Sequence, residues 1–217
     1  MNIFEISSLF IILTSLLLAI LVFVKGNARK ISLIWGTFCI VCSVWGLACF
    51  MFSNVKTVAA ALFWWQVAYC SVILTPFFYF YFVYSFTQSN RVFLLRGVSA
   101  TTLFLLYANI FFPEKFLGNV KYIFGQFYWH DWTVQKNILF LSFYIGYYWI
   151  LLSISFWMLL KEFLKSSGNG KNQIKYFLFG SMVGWLGPHG VFVNVFGIQV
   201  YPFSNFLIAI YPAIMAY

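Results

Sequence analysis

IFEISSLFIILTSLLLAILVFV, residues 3–24, is an almost unbroken apolar run, and it decides the fold class. At 1.5 Å rise per residue, about 20 apolar residues cross the roughly 30 Å hydrocarbon core of a bilayer as one helix. Six more apolar segments follow, and each must be helical because an unpaired backbone polar group in hydrocarbon costs several kcal/mol. The seven predicted helices are 3–24, 31–53, 57–86, 92–112, 137–160, 176–196 and 201–217.

The composition of the chain excludes a water-soluble domain. Of its 217 residues, 63% are hydrophobic, 24% are aromatic and only 8% are charged. A soluble protein of this size could not hide so much apolar surface in one core. The connections are short, so residues 1–217 are predicted to form one domain. The expected fold is an all-α polytopic bundle of seven transmembrane helices in the plasma or inner membrane, with the lipid bilayer as its partner and no cofactor.

The basic residues predict the orientation of the bundle, because cytoplasmic loops attract Lys and Arg. Nine lie in the first, third and fifth connections, and four lie on the other side. This split predicts an outside N-terminus and an inside C-terminus. It also accounts for the net charge of +9 without nucleic acid, since anionic lipids of the inner leaflet attract such residues. The nine are Lys25, Arg29, Lys30, Arg91, Arg96, Lys161, Lys165, Lys171 and Lys175, and the four are Lys56, Lys115, Lys121 and Lys136.

The last apolar segment, residues 201–217, differs from the others. Its 17 residues span roughly 25 Å as a helix, which is short of the hydrocarbon core. No Lys or Arg anchors its inner end. We therefore expect the natural protein to continue beyond Tyr217 into a cytoplasmic output domain, or this chain to be a fragment.

Two segments contain residues that bend or crowd a helix. Pro76 lies in the middle of the third segment, where it removes one backbone hydrogen bond and predicts either a hinge or a static bend. In the sixth segment, Gly180, Gly184 and Gly187 share one face, which lets another helix approach closely. Pro188 follows Gly187, so this stretch predicts either close packing or a movable joint. The hinge candidates are Pro76, Gly187 and Pro188.

The polar side chains of the predicted helices concentrate in the outer half of the bilayer. Asn, Gln and His residues there share their level with Trp and Tyr residues. An aromatic cup with a few convergent amides suits an unknown small molecule, and polar groups are costly in a bilayer. The alternatives are solvation at the interface, hydrogen bonds between helices, and simple aromatic packing. The candidate ligand-binding residues are Trp45, Gln66, Tyr69, Tyr147, His189, Asn194 and Asn205.

Two further motifs resemble catalytic or metal sites but are incomplete. Trp129–Trp132 (WHDW) puts a His beside an Asp in the aromatic loop 113–136, without a supporting Ser or Cys nucleophile. We expect this loop to lie as a lid on the membrane interface. Cys39-x-x-Cys42 has no second ligand pair at zinc spacing, so the cysteines are predicted to be packing residues. No catalytic residue and no metal site is predicted, and the chain is not expected to be an enzyme.

Several aromatic motifs resemble one family of membrane proteins. Residues 62–69 (LFWWQVAY) and 76–78 (PFF) lead to residues 84–87 (YSFT), and residues 124–130 (FGQFYWH) precede the fifth helix. In these stretches the chain resembles the N-terminal seven-transmembrane sensory region of bacterial and archaeal histidine kinases, and sometimes of diguanylate cyclases. The resemblance implies the input module of a two-component signal-transduction protein, a cytoplasmic transmitter outside this chain, and a homodimer.

A small-solute transporter is the alternative function. Seven-helix transporters tend to contain internal repeats, with a site at broken helices near the midplane. The first three and the last three segments share no Pro or Gly pattern, and no Asp or Glu lies within a spanning core to relay protons. The lack of acidic residues and metal ligands also argues against an intramembrane enzyme. The sequence therefore favours a sensor.

Overall fold

The computed structural model of this protein describes residues 1–26, 30–135 and 137–216. Arg29, Lys136 and Tyr217, which entered the predicted orientation and helix bounds, lie outside the described residues. Most of the described chain is helical. The elements in chain order are α1 (Ile3–Lys25), α2 (Lys30–Asn54), α3 (Val58–Phe86), α4 (Val92–Phe111), α5 (Pro113–Phe116), β1 (Asn119–Ile123), β2 (Phe127–Asp131), α6 (Trp132–Gln135), α7 (Ile138–Leu141), a π-helical segment (Ser142–Trp149), α8 (Ile150–Lys165), α9 (Gly168–Val195) and α10 (Asn205–Ala216).

Five helical stretches are long and apolar enough to cross a membrane: α1 to α4 and the continuous stretch Ile138–Lys165. α9 is long enough but more polar, with Gly187, Pro188 and His189 in its apolar part. α10 has 12 residues, too few for a span by length alone. The prediction of a helical membrane bundle is confirmed, and length and composition support five of its seven spans.

Three described helix bounds differ from the predicted ones by more than one residue. α9 begins at Gly168, eight residues earlier than predicted, because a helix that extends beyond hydrocarbon needs no apolar side chains there. α10 begins at Asn205, since the Asn194 side chain bonds both backbone groups of Val200 and fixes a turn before it. The fifth helix continues to Lys165 and contains the π-helical segment, which an apolar pattern does not reveal.

The helices pack around α2, the most buried of the five long apolar helices. α2 contacts α1 and α3, while α10 contacts α1 and α9. α3 also contacts α4 and α8. The outer helices leave large apolar side chains exposed, including Phe10 and Leu17 of α1 and Phe104 of α4. Such a surface suits contact with lipid rather than water.

The loop between α4 and α7 contains a β-hairpin that the sequence analysis did not predict. β1 and β2 pair antiparallel, with Ile123 opposite Phe127. Phe124 and Gly125 in the turn both adopt positive φ angles, 55° and 64°. Trp129 of β2 is fully buried, so the expectation of a lid lying on the membrane interface is wrong for this strand. The hairpin inserts into one end of the bundle, here called the hairpin end.

Candidate functional site

The hairpin is held in the bundle by an aromatic cluster around Trp129. The centroid of its ring lies 5.2 Å from that of Trp65. The rings of Phe4 and Phe52 lie 5.5 and 5.7 Å from it. Trp65 also donates a hydrogen bond from Nε1 to the Tyr128 carbonyl at 3.1 Å. The hairpin therefore contacts α1, α2 and α3 together.

His130, also in β2, is fully buried and points towards α3. Its Nδ1 lies 2.7 Å from the Tyr69 hydroxyl, and the Phe140 ring meets it edge-on at 4.8 Å. Burial lowers the pKa of His130 from 6.5 to about 4, against smaller opposing effects of the Leu117 backbone and the Asp131 carboxylate. The imidazole is therefore neutral at pH 7.

Asp131 faces different partners from those of His130. Its Oδ1 accepts the Thr133 backbone N–H at 3.0 Å and the Thr133 hydroxyl at 2.5 Å. The same oxygen forms an ion pair with Nζ of Lys121 on β1, at 3.3 Å. Burial raises the pKa of this carboxyl, but the hydrogen bonds outweigh it and the pKa lies below its usual 3.8. His130 thus holds the hairpin against α3, whereas Asp131 pairs with Lys121 across the two strands.

We expect the protein to lose stability as the pH falls from 6.5 to about 4. The His130 pKa is lower in the folded protein than in the unfolded chain, so in this range the unfolded chain gains the proton first. Above pH 6.5 the contribution of the neutral imidazole is complete. The free energy of unfolding should fall by ~1.4 kcal/mol per pH unit, about 3 kcal/mol in total. Thermal unfolding in detergent micelles at about pH 7 and about pH 4 measures the loss.

His130→Asn is the control for this pH dependence. Asparagine can accept a hydrogen bond from the Tyr69 hydroxyl but does not titrate. The carboxylates are the same in both proteins, so the difference between their losses of stability is due to the imidazole of His130. An equal loss of stability in the two proteins would contradict a neutral, buried His130.

Tyr201 links the hairpin to the start of α10. Its ring lies 5.3 Å from that of Phe124 in the hairpin turn, and its hydroxyl donates to Gln126 Oε1 at 3.3 Å. The same hydroxyl accepts the backbone N–H of Phe4, in the first turn of α1, at 3.3 Å. The hairpin, α1 and the chain that enters α10 therefore share one set of contacts.

Asn205, the first residue of α10, is buried and joins three helices. Its Nδ2 donates to Ser7 Oγ of α1 at 2.8 Å. Its Oδ1 accepts from Trp45 Nε1 of α2 at 3.4 Å. Two of the predicted ligand-binding residues, Trp45 and Asn205, thus contact each other and fix α10 against α1 and α2.

Other predicted ligand-binding residues lie at separate helix contacts. Gln66 Nε2 donates to the Asn109 carbonyl at 2.8 Å, and Asn109 Nδ2 donates to the Gln66 carbonyl at 2.9 Å, which joins α3 to α4. The Tyr147 hydroxyl donates to the Ile73 carbonyl at 3.0 Å. Asn194 holds the turn before α10. These residues stabilise neighbouring helices.

His189 lies apart from the other candidates, in a groove between α8 and α9. Its ring stacks on Trp149 with 4.3 Å between centroids and 7° between planes.

Tyr69 contacts the hairpin through His130, a residue 61 positions away, and no sequence pattern indicated that pair. The seven candidates are therefore distributed over several separate contacts.

A small cavity lies between the two predicted proline hinges. Its volume is about 40 Å³, and Thr75, Pro188 and Trp45 are among its lining residues. This space is large enough for water but too small for a metabolite. Both helices continue through their prolines. The Thr75 hydroxyl donates to the Ser71 carbonyl at 2.8 Å, so it does not replace the hydrogen bond that Pro76 removes.

The glycines of α9 face α10 at close range. A Cβ atom at Gly187 would lie 2.6 Å from Ile208 Cγ1 and 3.0 Å from the Ser204 carbonyl oxygen. A Cβ atom at Gly184 would overlap the Tyr211 ring. The glycine spacing therefore permits close packing of α9 on α10.

The described cysteines are not paired in disulfides, and the described residues form no metal-binding cluster. Across residues 1–26, 30–135 and 137–216, no three His, Cys, Asp or Glu side chains could hold a metal ion. Cys39, Cys42 and Cys49 are free and buried.

Comparison with protein families gives a match over residues 7–217 to the family described as "N-terminal 7TM region of histidine kinase". Comparisons with curated proteins and with solved structures gave no match. The family match confirms the resemblance that the aromatic motifs indicated.

Proposed function

We propose that this chain, which belongs to the family of N-terminal 7TM regions of histidine kinases, is the membrane-embedded sensory input module of its parent protein. The observation that carries this proposal is the family match over residues 7–217. The module detects a small molecule or a membrane condition and relays it to a cytoplasmic transmitter. The proposed transmitter is a histidine kinase, with a diguanylate cyclase as the other output that the resemblance allows. The sensor works as a homodimer.

The proposed module crosses the membrane seven times, with α9 and α10 as the sixth and seventh spans. α9 has 28 residues, more than the about 20 that a span needs. Four lysines lie near the α8–α9 connection, at the end opposite the hairpin: Lys161, Lys165, Lys171 and Lys175. Since cytoplasmic loops attract Lys, this end faces the cytoplasm and the hairpin faces outside.

The signal enters at the hairpin end and leaves through α10. The hairpin contacts Tyr201, and Asn205 ties the first turn of α10 to α1 and α2. α10 then packs along α9 at Gly184 and Gly187. A stimulus that displaces the hairpin therefore shifts α10, the last helix before the proposed transmitter. The ligand favours one of two arrangements by its difference in affinity for them.

The joints of this movement are Pro76 and the Gly187–Pro188 pair. The cavity between the prolines leaves α3 and α9 space to move against each other. Trp45, which lines this cavity, also bonds Asn205. A movement of the helices at these prolines therefore reaches α10 through Trp45 and Asn205. The seven ligand-binding candidates remain proposals, and of these Tyr69 lies beside the hairpin.

Replacing Pro76 by alanine is expected to change the autophosphorylation rate of the parent kinase by roughly fivefold or more. Alanine supplies the missing backbone N–H, which can bond the Val72 carbonyl and stiffen α3. The measurement uses the full-length protein in proteoliposomes and follows phosphorylated kinase over time.

Pro113→Ala is the matched control, because Pro113 is the first residue of α5 and breaks no helical hydrogen bond there. An unchanged rate in Pro76→Ala would exclude the hinge. Equal changes in both variants would exclude a specific role for α3. Autophosphorylation that is the same with and without the membrane region would contradict the sensory role itself.

A further inference from the structure

The helices α1, α2 and α3 line a groove at the end of the bundle opposite the hairpin. Its volume is about 410 Å³, and Lys25, the last residue of α1, is among its lining residues. The Ser32 hydroxyl of α2 donates to the Gly26 carbonyl at 3.2 Å, which holds the end of α1 against the start of α2. Leu21 lines the groove and is 48% exposed. The groove therefore opens towards the surroundings of the bundle, which are lipid in the proposed membrane.

The wall that α1 contributes to this groove changes from charged to apolar along the helix. Its residues are Leu18, Leu21, Val22 and Lys25, and this spacing puts all four on one face. At 1.5 Å rise per residue, Leu18 lies about 10 Å deeper along the axis than Lys25. The groove thus has a cation at its mouth and apolar side chains towards the middle of the bundle.

A second pocket adjoins the mouth of this groove, and Ile31 lines both. The volume of the second pocket is about 370 Å³, and Lys30, Ser89 and Asn90 give it a polar lining. Lys30 Nζ lies 5.2 Å from the centroid of the Tyr81 ring, so its ammonium group is held beside α3. The polar pocket and the groove together provide space for a polar headgroup next to an apolar chain.

The positive charge at this mouth has no counterpart in the protein. No Asp or Glu occurs in the sequence between Glu5 and Glu114, so α2, α3 and α4 contain no carboxylate. In the described part of the chain, the ion pairs are those of the N-terminus with Glu5 and of Lys121 with Asp131. Neither involves the two lysines at the mouth. An anion from outside the chain would therefore complement them.

The two parts of the groove together restrict the occupant. A soluble anion would meet the lysines but would leave the apolar wall uncovered. A zwitterionic phospholipid would cover that wall, but the cation of its headgroup would reduce the attraction to the lysines. A phospholipid with a net negative charge satisfies both parts, and basic pockets on the cytoplasmic side of transmembrane helices suit such headgroups.

We propose that this groove binds one anionic phospholipid of the inner leaflet, with its phosphate at Lys25 and Lys30 and one acyl chain along Leu18 and Leu21. This is a defined site, in addition to the general attraction of the basic loops for anionic lipids. It rests on the proposed function only in requiring the membrane and the proposed orientation, and kinase activity plays no part in its test.

Photolabelling with two matched lipids tests the site. The full chain is reconstituted in phosphatidylcholine vesicles with a trace of phosphatidylglycerol that carries a diazirine on one acyl chain. The second probe is phosphatidylcholine with the same acyl chain. After irradiation and mass spectrometry, we expect about fivefold more label from the anionic probe on Leu18 and Leu21, the factor that about 1 kcal/mol per lysine gives. On Leu103, an exposed residue of α4, the two probes should label equally.

Matched variants separate the site from the overall charge. Lys25→Gln removes the cation, so label from the anionic probe should fall about fivefold, to the level of the zwitterionic probe. Lys165→Gln removes the same charge from α8, outside the groove, and should leave the label unchanged. Leu21→Trp narrows the groove without changing its charge. It should lower the label on Leu18, and it provides the measurement if Lys25→Gln does not fold, as judged by circular dichroism.

Several results would overturn the proposal. Equal labelling of Leu18 by the two probes would make the groove an ordinary contact with boundary lipid. Equal losses in Lys25→Gln and Lys165→Gln would show attraction to the whole basic end without a site. Label that is unchanged in both Lys25→Gln and Leu21→Trp would place the lipid elsewhere. Competition by glycerol phosphate as strong as that by unlabelled phosphatidylglycerol would make it a site for a soluble anion.

Discussion

Replacing Trp129 by alanine is expected to lower the free energy of unfolding by about 3–5 kcal/mol, because it removes the fully buried centre of the aromatic cluster. Trp65, Phe52 and Phe4 would each lose a packed neighbour. The hairpin would then lose its main contact with the first three helices. Unfolding by sodium dodecyl sulfate in mixed micelles, followed by circular dichroism, measures the change.

Tyr122→Ala is the control for Trp129→Ala on the same hairpin. Tyr122 is 55% exposed and packs on Tyr128 alone among the aromatic neighbours that the described residues provide. Its removal should change the free energy of unfolding by less than about 1 kcal/mol. Equal effects of the two substitutions would mean that the hairpin is a surface lid and that Trp129 is not part of the core.

Replacing Gly187 by alanine is expected to separate α9 from α10. The added methyl group would lie 2.6 Å from Ile208 Cγ1 and 3.0 Å from the Ser204 carbonyl oxygen. A backbone carbonyl cannot rotate away as a side chain can, so the helices must move apart. Such overpacking costs about 1–3 kcal/mol of stability. Since α10 leads to the proposed transmitter, the autophosphorylation rate of the parent kinase should also change.

Gly97→Ala in α4 is the matched control for Gly187→Ala. Nothing lies within 4 Å of a methyl group added at Gly97. Alanine has the higher helix propensity, so this variant should be equally stable or more stable by up to about 1 kcal/mol. The same unfolding assay compares the two. A Gly187→Ala protein with the stability of Gly97→Ala and unchanged kinase activity would contradict close packing of α9 on α10.

The long helices were predictable because a span must be apolar along its whole length. α3 and α4 begin and end within one residue of their predicted positions. The predicted helix bounds are wrong where crossing a membrane does not require apolar residues. The polar residues after Gly168 extend α9, and the turn fixed by Asn194 delays α10 until Asn205.

The hairpin was not predictable from the same pattern. Its turn places Phe124 at positive φ, where the usual signal of a hairpin is Asn, Asp or Gly. Its strand residues include Tyr128 and Trp129, aromatic types that are equally typical of the membrane interface. Their burial depends on the Phe4, Phe52 and Trp65 rings from three other helices, which no local pattern indicates.

For the candidate site, the sequence identified polar residues but could not identify their partners. Gln66 bonds a residue 43 positions away, and Trp45 bonds Asn205 at a separation of 160 positions. A single sequence contains no signal for such contacts. The sequence predicts how far along its helix each residue lies, but it does not predict which neighbouring helix the residue faces. The groove beside His189 depends on how α8 and α9 are rotated about their axes, so it could not be predicted from the sequence either.

Accessibility of introduced cysteines in intact cells tests the proposed orientation, in which the hairpin lies outside and the α8–α9 connection lies in the cytoplasm. Cys39, Cys42 and Cys49 are buried, and Cys70 is partly buried within α3, so the native thiols contribute little background. Tyr122→Cys on the hairpin and Ser167→Cys between α8 and α9 change exposed residues. With a membrane-impermeant maleimide, we expect label on Tyr122→Cys in intact cells and on Ser167→Cys only after permeabilisation. The reverse pattern, or label on both in intact cells, would contradict it.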